Sequence, residues 1–260
     1  MAKKLFLHQS FQHKKSLGQH FLKDEGVAMD IVDALQHVDG AVVEVGPGLG
    51  VLTKYLIKKY PTNLTAIDLD DRLAVIIPQQ FEGIGFIHQD VLKVDFEKAF
   101  PNKTIHIIGN FPYNISTEIV FKVIEHRAVM KQMVGMFQKE VAKRLAAKEG
   151  SKVYGVTSIL SQAFFKVDYL LDVPPHFFDP PPKVQSGVVR FSQLDKPYEI
   201  KDVKMFFQAV KAGFNQRRKT LRNALKSYPK SKDISEAILN QRAEQLTVAQ
   251  WVDLANALID

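Results

Sequence analysis

The segment Glu44-Val45-Gly46-Pro47-Gly48-Leu49-Gly50 restricts the architectures open to this chain more than any other. It follows the apolar run Ala41–Val45 and opens an amphipathic stretch over 51–60, which reads as a short buried strand, a glycine turn and a helix. A second apolar run, Leu64–Asp68, completes a strand-helix-strand unit. The alternation continues, with helices expected over 70–79 and 117–127 and strands over 85–89, 104–109 and 131–138. Such a pattern specifies an α/β fold, an open and largely parallel sheet with helices on both faces. Ahead of it, 24–38 reads as a helix through Val27, Ile31, Val32 and Leu35, and 3–19 as a basic arm. Behind it, Phe165–Val173 and 187–191 read as strands around a proline-rich loop, 174–182, forming an antiparallel hairpin at the sheet edge and bringing the expected sheet to seven strands.

The pattern breaks at 192–198, which is polar and contains Pro197, and beyond it only helices are expected, over 203–212, 217–226, 234–239 and 248–259. We therefore expect a domain of residues 1–195, with a basic arm over 1–20, and a helical domain of residues 196–260. A bundle of roughly 60 residues is marginal alone and is expected to lean on the larger domain. The chain has 260 residues, 46% hydrophobic, enough to fill such a core. Its 35 Lys+Arg against 28 Asp+Glu give a formal charge of +7, which favours a polyanionic partner. With no Cys, thiolate metal sites, cysteine nucleophiles and disulfides are excluded, and the eight His show no HxxxH or HxH spacing, so no metal is expected. No apolar run has signal-peptide or membrane-spanning length. The expectation is a cytoplasmic monomer that does not associate with membranes.

The glycine spacing is GxGxG, whereas a dinucleotide fingerprint needs GxGxxG, and no phosphate-loop GK[ST] follows. A close backbone approach to a ligand without a pyrophosphate is implied. Two carboxylates narrow the ligand. Asp68 ends the second strand, where a carboxylate can accept both hydroxyls of a ribose, and Asp90 ends the third, where it can accept from an adenine amine. Either one alone reads equally well as a cap on the helix that follows. At the end of the run 105–109 comes Asn110-Phe111-Pro112-Tyr113, an amide, a stiff turn and a ring. The amide oxygen and a nearby carbonyl can accept from an exocyclic amine while Tyr113 stacks on the heterocycle that carries it, with Pro112 holding the geometry. The glycine loop, Asp68, Asp90 and Asn110 all fall at C-terminal strand ends, the edge where open α/β sheets bind ligands.

A ligand with ribose and adenine but no pyrophosphate, next to a site for an amine, points to S-adenosylmethionine and methyl transfer to nitrogen. That chemistry asks the protein for in-line positioning and for hydrogen bonds that free the amine lone pair.

These residues resemble the small-subunit ribosomal RNA adenine dimethyltransferase family. The resemblance spans nearly the whole chain, through 15–22, 44–50, Gly109-Asn110-Phe111-Pro112-Tyr113-Asn114-Ile115-Ser116, 138–144, Val173-Pro174-Pro175 with Phe178 and 180–184, and 214–223. It implies a Rossmann-like class I methyltransferase domain plus a small all-α C-terminal domain. The implied activity is N6,N6-dimethylation of two adjacent adenosines near the 3′ end of 16S ribosomal RNA, with the immature 30S particle as partner. The implied cofactor positions are His20, Leu22, Gly46, Asp68, Asp90 and Asn110, joined by Glu44 and Gly48 of the glycine turn. The implied target pocket is Asn110, Phe111, Pro112 and Tyr113, with Phe178 stacking opposite Tyr113. Two positions depart from the commonest family pattern: His20 stands where many members have Asn, and Asp68 where many have Glu.

Phe214-Asn215-Gln216-Arg217-Arg218-Lys219-Thr220-Leu221-Arg222 places four cations within six residues at an expected helix start. Cations there oppose the helix dipole, so Arg217, Arg218, Lys219 and Arg222 read as phosphate contacts. Lys14 and Lys15 of the arm, and Lys139 and Arg144, with Lys143 between them, are further RNA candidates, the latter group reading equally well as a solvated helix face. Three other functions fit parts of the pattern: a large-subunit RNA methylase of the antibiotic-resistance type, an assembly factor acting chiefly by binding, and a DNA adenine methylase.

Overall fold

The computed structural model describes residues 20–216, 218–228 and 234–259. They form two compact units: one takes the described residues to Ala142 together with Tyr169–Phe191, the other Lys143–Asp168 and the described residues from Ser192 onward. The expected single cut near residue 195 is thus replaced by a discontinuous division, in which the segment between the sixth and seventh strands groups with the C-terminal helices.

The strands are β1 (Phe21–Leu22), β2 (Ala41–Val45), β3 (Leu64–Asp68), β4 (Gly85–His88), β5 (Ile105–Asn110), β6 (Met130–Gln138), β7 (Phe165–Val173), β8 (Phe178–Asp179) and β9 (Ser186–Gln193). Seven of them form one sheet in the order β4-β3-β2-β5-β6-β9-β7. The pairs β2–β3, β2–β5, β3–β4 and β5–β6 are all parallel. Every residue of β2 is buried, as a central strand covered on both faces requires. Successive strands run outward from β2 through β3 to β4, then restart on its other side at β5. The direction of winding reverses between β2 and β5, and there the carboxyl ends of the strands leave a crevice.

Helix α1 (Glu25–Asp33) starts where expected because the Asp24 carboxylate accepts from the Val27 amide at 2.8 Å. It stops short of residue 38, and His37 takes a left-handed φ of 48°. Helices α2 (Thr53–Lys59) and α3 (Asp71–Gln80) cross back between β2, β3 and β4, and a four-residue turn, α4 (Phe96–Ala99), precedes β5. Helix α5 (Ser116–Glu125) follows the Asn110–Tyr113 turn and buries Ile119, Val120, Val123 and Ile124 along one stripe. A two-residue ladder, β1 antiparallel to β8, joins Phe21 to Asp179 and Leu22 to Phe178.

Between β6 and β7 lie α6 (Lys139–Leu145) and α7 (Val156–Gln162). The latter has no counterpart in the sequence reading. In the second unit, α8 (Val203–Asn215) is capped by Asp202, whose carboxylate accepts from the Met205 amide at 3.0 Å. Its apolar face meets α11 (Val248–Ala257), with the Phe214 and Trp251 rings stacked at 6.0 Å. Two four-residue helices, α9 (Leu221–Ala224) and α10 (Glu236–Leu239), complete the unit.

Candidate active site

The crevice at the β2/β5 reversal holds a cavity of about 280 Å³. Its walls are the C-terminal ends of four parallel strands: Val45-Gly46, Ile67-Asp68-Leu69, Gln89-Asp90 and the turn from Asn110 to Ile115, with His20 and Phe21 facing them. Gly46 and Gly48 have φ of +71° and +53°, a region that side chains disfavour. A Cβ on Gly48 would stand 2.7 Å from the Phe21 ring, and one on Gly46 would point at the Asn110 carbonyl, 3.7 Å away. The glycines therefore keep open a backbone cradle that β-carbons would fill.

Asn110 ends β5 beside that cradle. Its amide nitrogen donates to the His20 carbonyl at 2.8 Å, which fixes the plane of the carboxamide, and the residue lines the cavity with its oxygen still an acceptor. The His20 ring stacks on Tyr113 at 5.6 Å and 27°, and its Nδ1 donates to the Pro180 carbonyl at 2.8 Å. The Tyr113 hydroxyl lies 2.6 Å from the Ser186 Oγ, and burial raises its pKa. Phe111, 1% exposed, points away into the core. It rests edge-to-face on Phe137 at 5.3 Å and against Gly135, where a Cβ would meet its ring at 2.3 Å. The turn is thus anchored in the core by its second residue, which only edges the cavity, while its first, third and fourth residues also line it.

The carboxylates are graded by environment. Burial raises the Asp68 pKa, a backbone hydrogen bond with Asp70 opposes the shift, and the Asp70 charge adds to it. One Asp68 oxygen accepts the Asp70 amide at 2.8 Å. Asp70 itself is consumed by Arg72, with Nη2 to Oδ2 at 2.5 Å and Nε to Oδ1 at 2.9 Å. Asp90 caps the turn Val91–Lys93, its Oδ1 accepting the Leu92 amide at 3.0 Å. Both the capping and the cavity-lining readings of Asp90 therefore hold at once.

Glu44 is 1% exposed inside β2 and does not line the cavity. Its Oε2 accepts from the Thr53 hydroxyl at 2.7 Å, while Oε1 is buried without a partner. Burial pushes its pKa up from 4.5 to about 8, the Thr53 hydroxyl opposing and the Asp68 charge adding to the shift. The folded state thus binds this proton more tightly than the unfolded one. The resulting stabilisation is full below about pH 4.5 and is lost as pH rises toward 8. In denaturant titrations, wild-type stability should fall across that window by on the order of a few kcal/mol, and Glu44→Gln should be nearly flat. Parallel traces for the two proteins would show that another group titrates.

Several expected site residues are placed elsewhere. Leu22 (4% exposed) and Phe178 (1%) face each other across the β1–β8 ladder and belong to the core with Val27, Ile31 and Val188, so neither lines the cavity. The ladder turns Phe178 inward, which corrects its placement opposite Tyr113. Lys139 is occupied within the fold, its Nζ 2.8 Å from Asp172 and 2.6 Å from Gln185. Arg222 pairs with Glu236 of α10. Of the cation cluster, Arg218 and Lys219 sit exposed in the turn before α9 while Arg222 lies on that helix, and Arg144 is exposed on α6. Lys14, Lys15 and Arg217 lie outside the described residues.

Other cavity residues were not anticipated, among them Leu69, Gln89, Leu92, Asn114 and Ile115. Leu69 and Gln89 each follow a strand end by one residue, Asn114 and Ile115 extend the Asn110 turn, and Leu92 lies in the turn that Asp90 caps, so nearness to strand ends was the available signal. The exposed face of α8 carries Lys204, Gln208, Lys211 and Asn215 and leads to Arg218. No Asp or Glu occurs anywhere from 203 to 232, a charge asymmetry visible in the sequence that was overlooked. Among the described residues no cluster of His, Cys, Asp and Glu could hold a metal.

An adenosyl sulfonium fits what is present: a cradle emptied of β-carbons, carboxylates at two neighbouring strand ends and a buried, unpartnered carboxylate oxygen just behind the glycine turn. Residues 10–260 match the model of a family described as ribosomal RNA adenine dimethylase. The ribosomal RNA small subunit methyltransferase A of Cytophaga hutchinsonii is 51% identical over 253 residues, covering 94% of this chain and 96% of its own. That of Flavobacterium johnsoniae is 46% identical over 252 residues, covering 94% and 95%. A dimethyladenosine transferase from Plasmodium falciparum shares the fold, with a TM-score of 0.75 at 24% identity over 90% of this chain and 96% of that one. So does the 23S rRNA methyltransferase ErmE, with a TM-score of 0.74 at 20% identity over 92% and 100%. With a strand order that reverses beside a glycine cradle and a family match across almost its entire length, the chain belongs to the ribosomal RNA adenine dimethylases.

Proposed function

We propose that this protein transfers methyl groups from S-adenosylmethionine to the N6 amines of two adjacent adenosines near the 3′ end of 16S ribosomal RNA, acting on the immature small subunit. One observation carries the reading: the Asn110 carboxamide, held by the His20 carbonyl and lining the cavity beside the glycine turn at the sheet reversal. Gly46, Gly48, Asp68 and Asp90 are the residues that would hold the cofactor, with Glu44 behind them. When bound, the cofactor supplies a methyl group already activated by its sulfonium.

The chain's own residues then have few tasks. The Asn110 oxygen accepts a hydrogen bond from the target amine, which draws its lone pair out of conjugation with the ring. The Tyr113 face, stiffened by Pro112, sets the plane of the base. No side-chain base is required, because the methylated nitrogen is cationic and water removes its proton. A base must leave its stack to reach such a site, which favours unpaired RNA. No helix among the described residues is long and apolar enough to cross a membrane. A monomer working in the cytoplasm is the arrangement we propose.

The test is transfer of a labelled methyl group to small subunits lacking the modification, with nucleoside analysis of the product. Dimethyladenosine from 16S RNA supports the reading, and modification confined to large-subunit RNA or to duplex DNA overturns it. The exposed cations of the second unit make a separate prediction. Substituting Lys204, Lys211, Arg218 and Lys219 by Ala should lower the log-log salt slope of RNA binding by about 3, at roughly 0.7–0.9 per lost phosphate contact. Arg222→Ala should leave the slope nearly unchanged, since that guanidinium is engaged by Glu236.

A further inference from the structure

Ser186 opens β9 and is completely buried, yet its hydroxyl is spent on a residue 73 positions away: the phenol oxygen of Tyr113 lies 2.6 Å from its Oγ. We propose that Ser186 is a positioning residue for the target base, holding the Tyr113 ring in the plane on which that base stacks. The inference rests on the methyl-transfer reading above and adds to it a residue from a strand remote from the Asn110 turn.

The argument is one of torsions. A tyrosine ring has two free dihedrals, and stacking fixes a base only if the ring itself is fixed. Pro112 restrains the backbone before Tyr113 but not its side chain. Two contacts do that. At the face of the ring stands His20, and His20 is immobilised twice, through Nδ1 on the Pro180 carbonyl and through its own carbonyl on Asn110. At the far end of the ring stands the Ser186 hydroxyl, the longest lever on its orientation. Ser186 is well suited to the task, because a side chain at the start of a strand inside the seven-stranded sheet, with no exposed surface, cannot itself drift. A phenol is neutral near pH 7 and burial raises its pKa further, so it remains able to donate or accept in this bond.

Asn110 and Tyr113 thereby receive separate supports. Asn110 addresses the amine and is squared by His20; Tyr113 addresses the ring plane and is squared by Ser186. A tilt of the base displaces its exocyclic nitrogen from the line of transfer, and a misplacement near 1 Å can cost on the order of 100-fold in rate.

The experiment compares wild type, Ser186→Ala, Tyr113→Phe, the double variant and Ser186→Thr in single-turnover methyl transfer to unmethylated small subunits. Cofactor affinity is measured by calorimetry and stability by thermal unfolding. We expect roughly 10- to 100-fold slower transfer for Ser186→Ala and for Tyr113→Phe, with cofactor affinity within about two-fold of wild type. The double variant should be no slower than either single one, since both remove the same bond. Ser186→Thr, which keeps the hydroxyl, should recover most of the rate. Wild-type rates in both single variants would overturn the inference, as would a loss in Ser186→Ala that tracks lower thermal stability while Tyr113→Phe is unaffected. A wild-type protein that transfers no methyl group to adenosine would overturn the underlying reading, and this inference with it.

Discussion

Replacing Asn110 by Ala is expected to slow methyl transfer by on the order of 10²–10³ or more, the usual loss when one preorganised hydrogen-bonding group is removed from a reacting centre. RNA affinity should stay within about two-fold, because the exposed cations proposed to meet phosphate lie on other elements. Asn110→Asp is the more instructive variant. It keeps an acceptor, but it removes the amide that donates to the His20 carbonyl and sets a carboxylate against that carbonyl oxygen. It should therefore fail nearly as badly as Ala. Single-turnover transfer alongside filter binding would check both variants. Wild-type rates in Asn110→Asp would mean that the His20 contact does not orient the amide.

Gly48→Val carries the second large effect. At φ +53° a β-branched residue is strained by about 1–3 kcal/mol, and its Cβ would meet the Phe21 ring at 2.7 Å. Phe21 cannot retreat freely, because β1 pairs with β8. The ring or the turn must shift beside the cradle, and cofactor affinity by calorimetry should drop by at least about 100-fold, roughly 2.7 kcal/mol. Gly150→Ala is the matched control. It too has a positive φ, +77°, but nothing lies within 4 Å of its added Cβ, so only the backbone term, about 1 kcal/mol, should appear in stability. Affinity in Gly48→Val within three-fold of wild type, at the precision about 0.6 kcal/mol allows, would show that the turn does not contact the cofactor.

How legible these features were in the sequence depended on whether their causes were local. β2 and β3 run over Ala41–Val45 and Leu64–Asp68 as expected, because an apolar run closed by glycines or by a carboxylate carries its own boundaries. The cavity lining at Gly46, Gly48, Asp68, Asp90 and Asn110 followed from the same rule, since a parallel sheet gathers its C-terminal strand ends at one edge. Helix α7 escaped notice because Ser158, Ile159, Leu160 and Ser161 are all buried, so no polar face marks its period. The β1–β8 ladder is two residues long and joins positions more than 150 apart, and its pairing alone decides that Leu22 and Phe178 are core. The partners of Lys139 and Arg222, Asp172 and Glu236, are likewise tertiary, so a density of cations could not reveal which of them remain available. The Ser186–Tyr113 bond had no sequence signature at all.

The central claim is that the Asn110 oxygen receives the target amine next to a cofactor held by the Gly46–Gly48 turn. A crystal structure of the protein with S-adenosylhomocysteine and an RNA fragment containing the adenosine pair tests it most directly. The account predicts the adenine N6 within hydrogen-bonding distance of the Asn110 oxygen, its ring on Tyr113, and the homocysteine sulfur on the far side of that amine. An adenine bound away from the Asn110 turn, or a cofactor outside the glycine cradle, would contradict it.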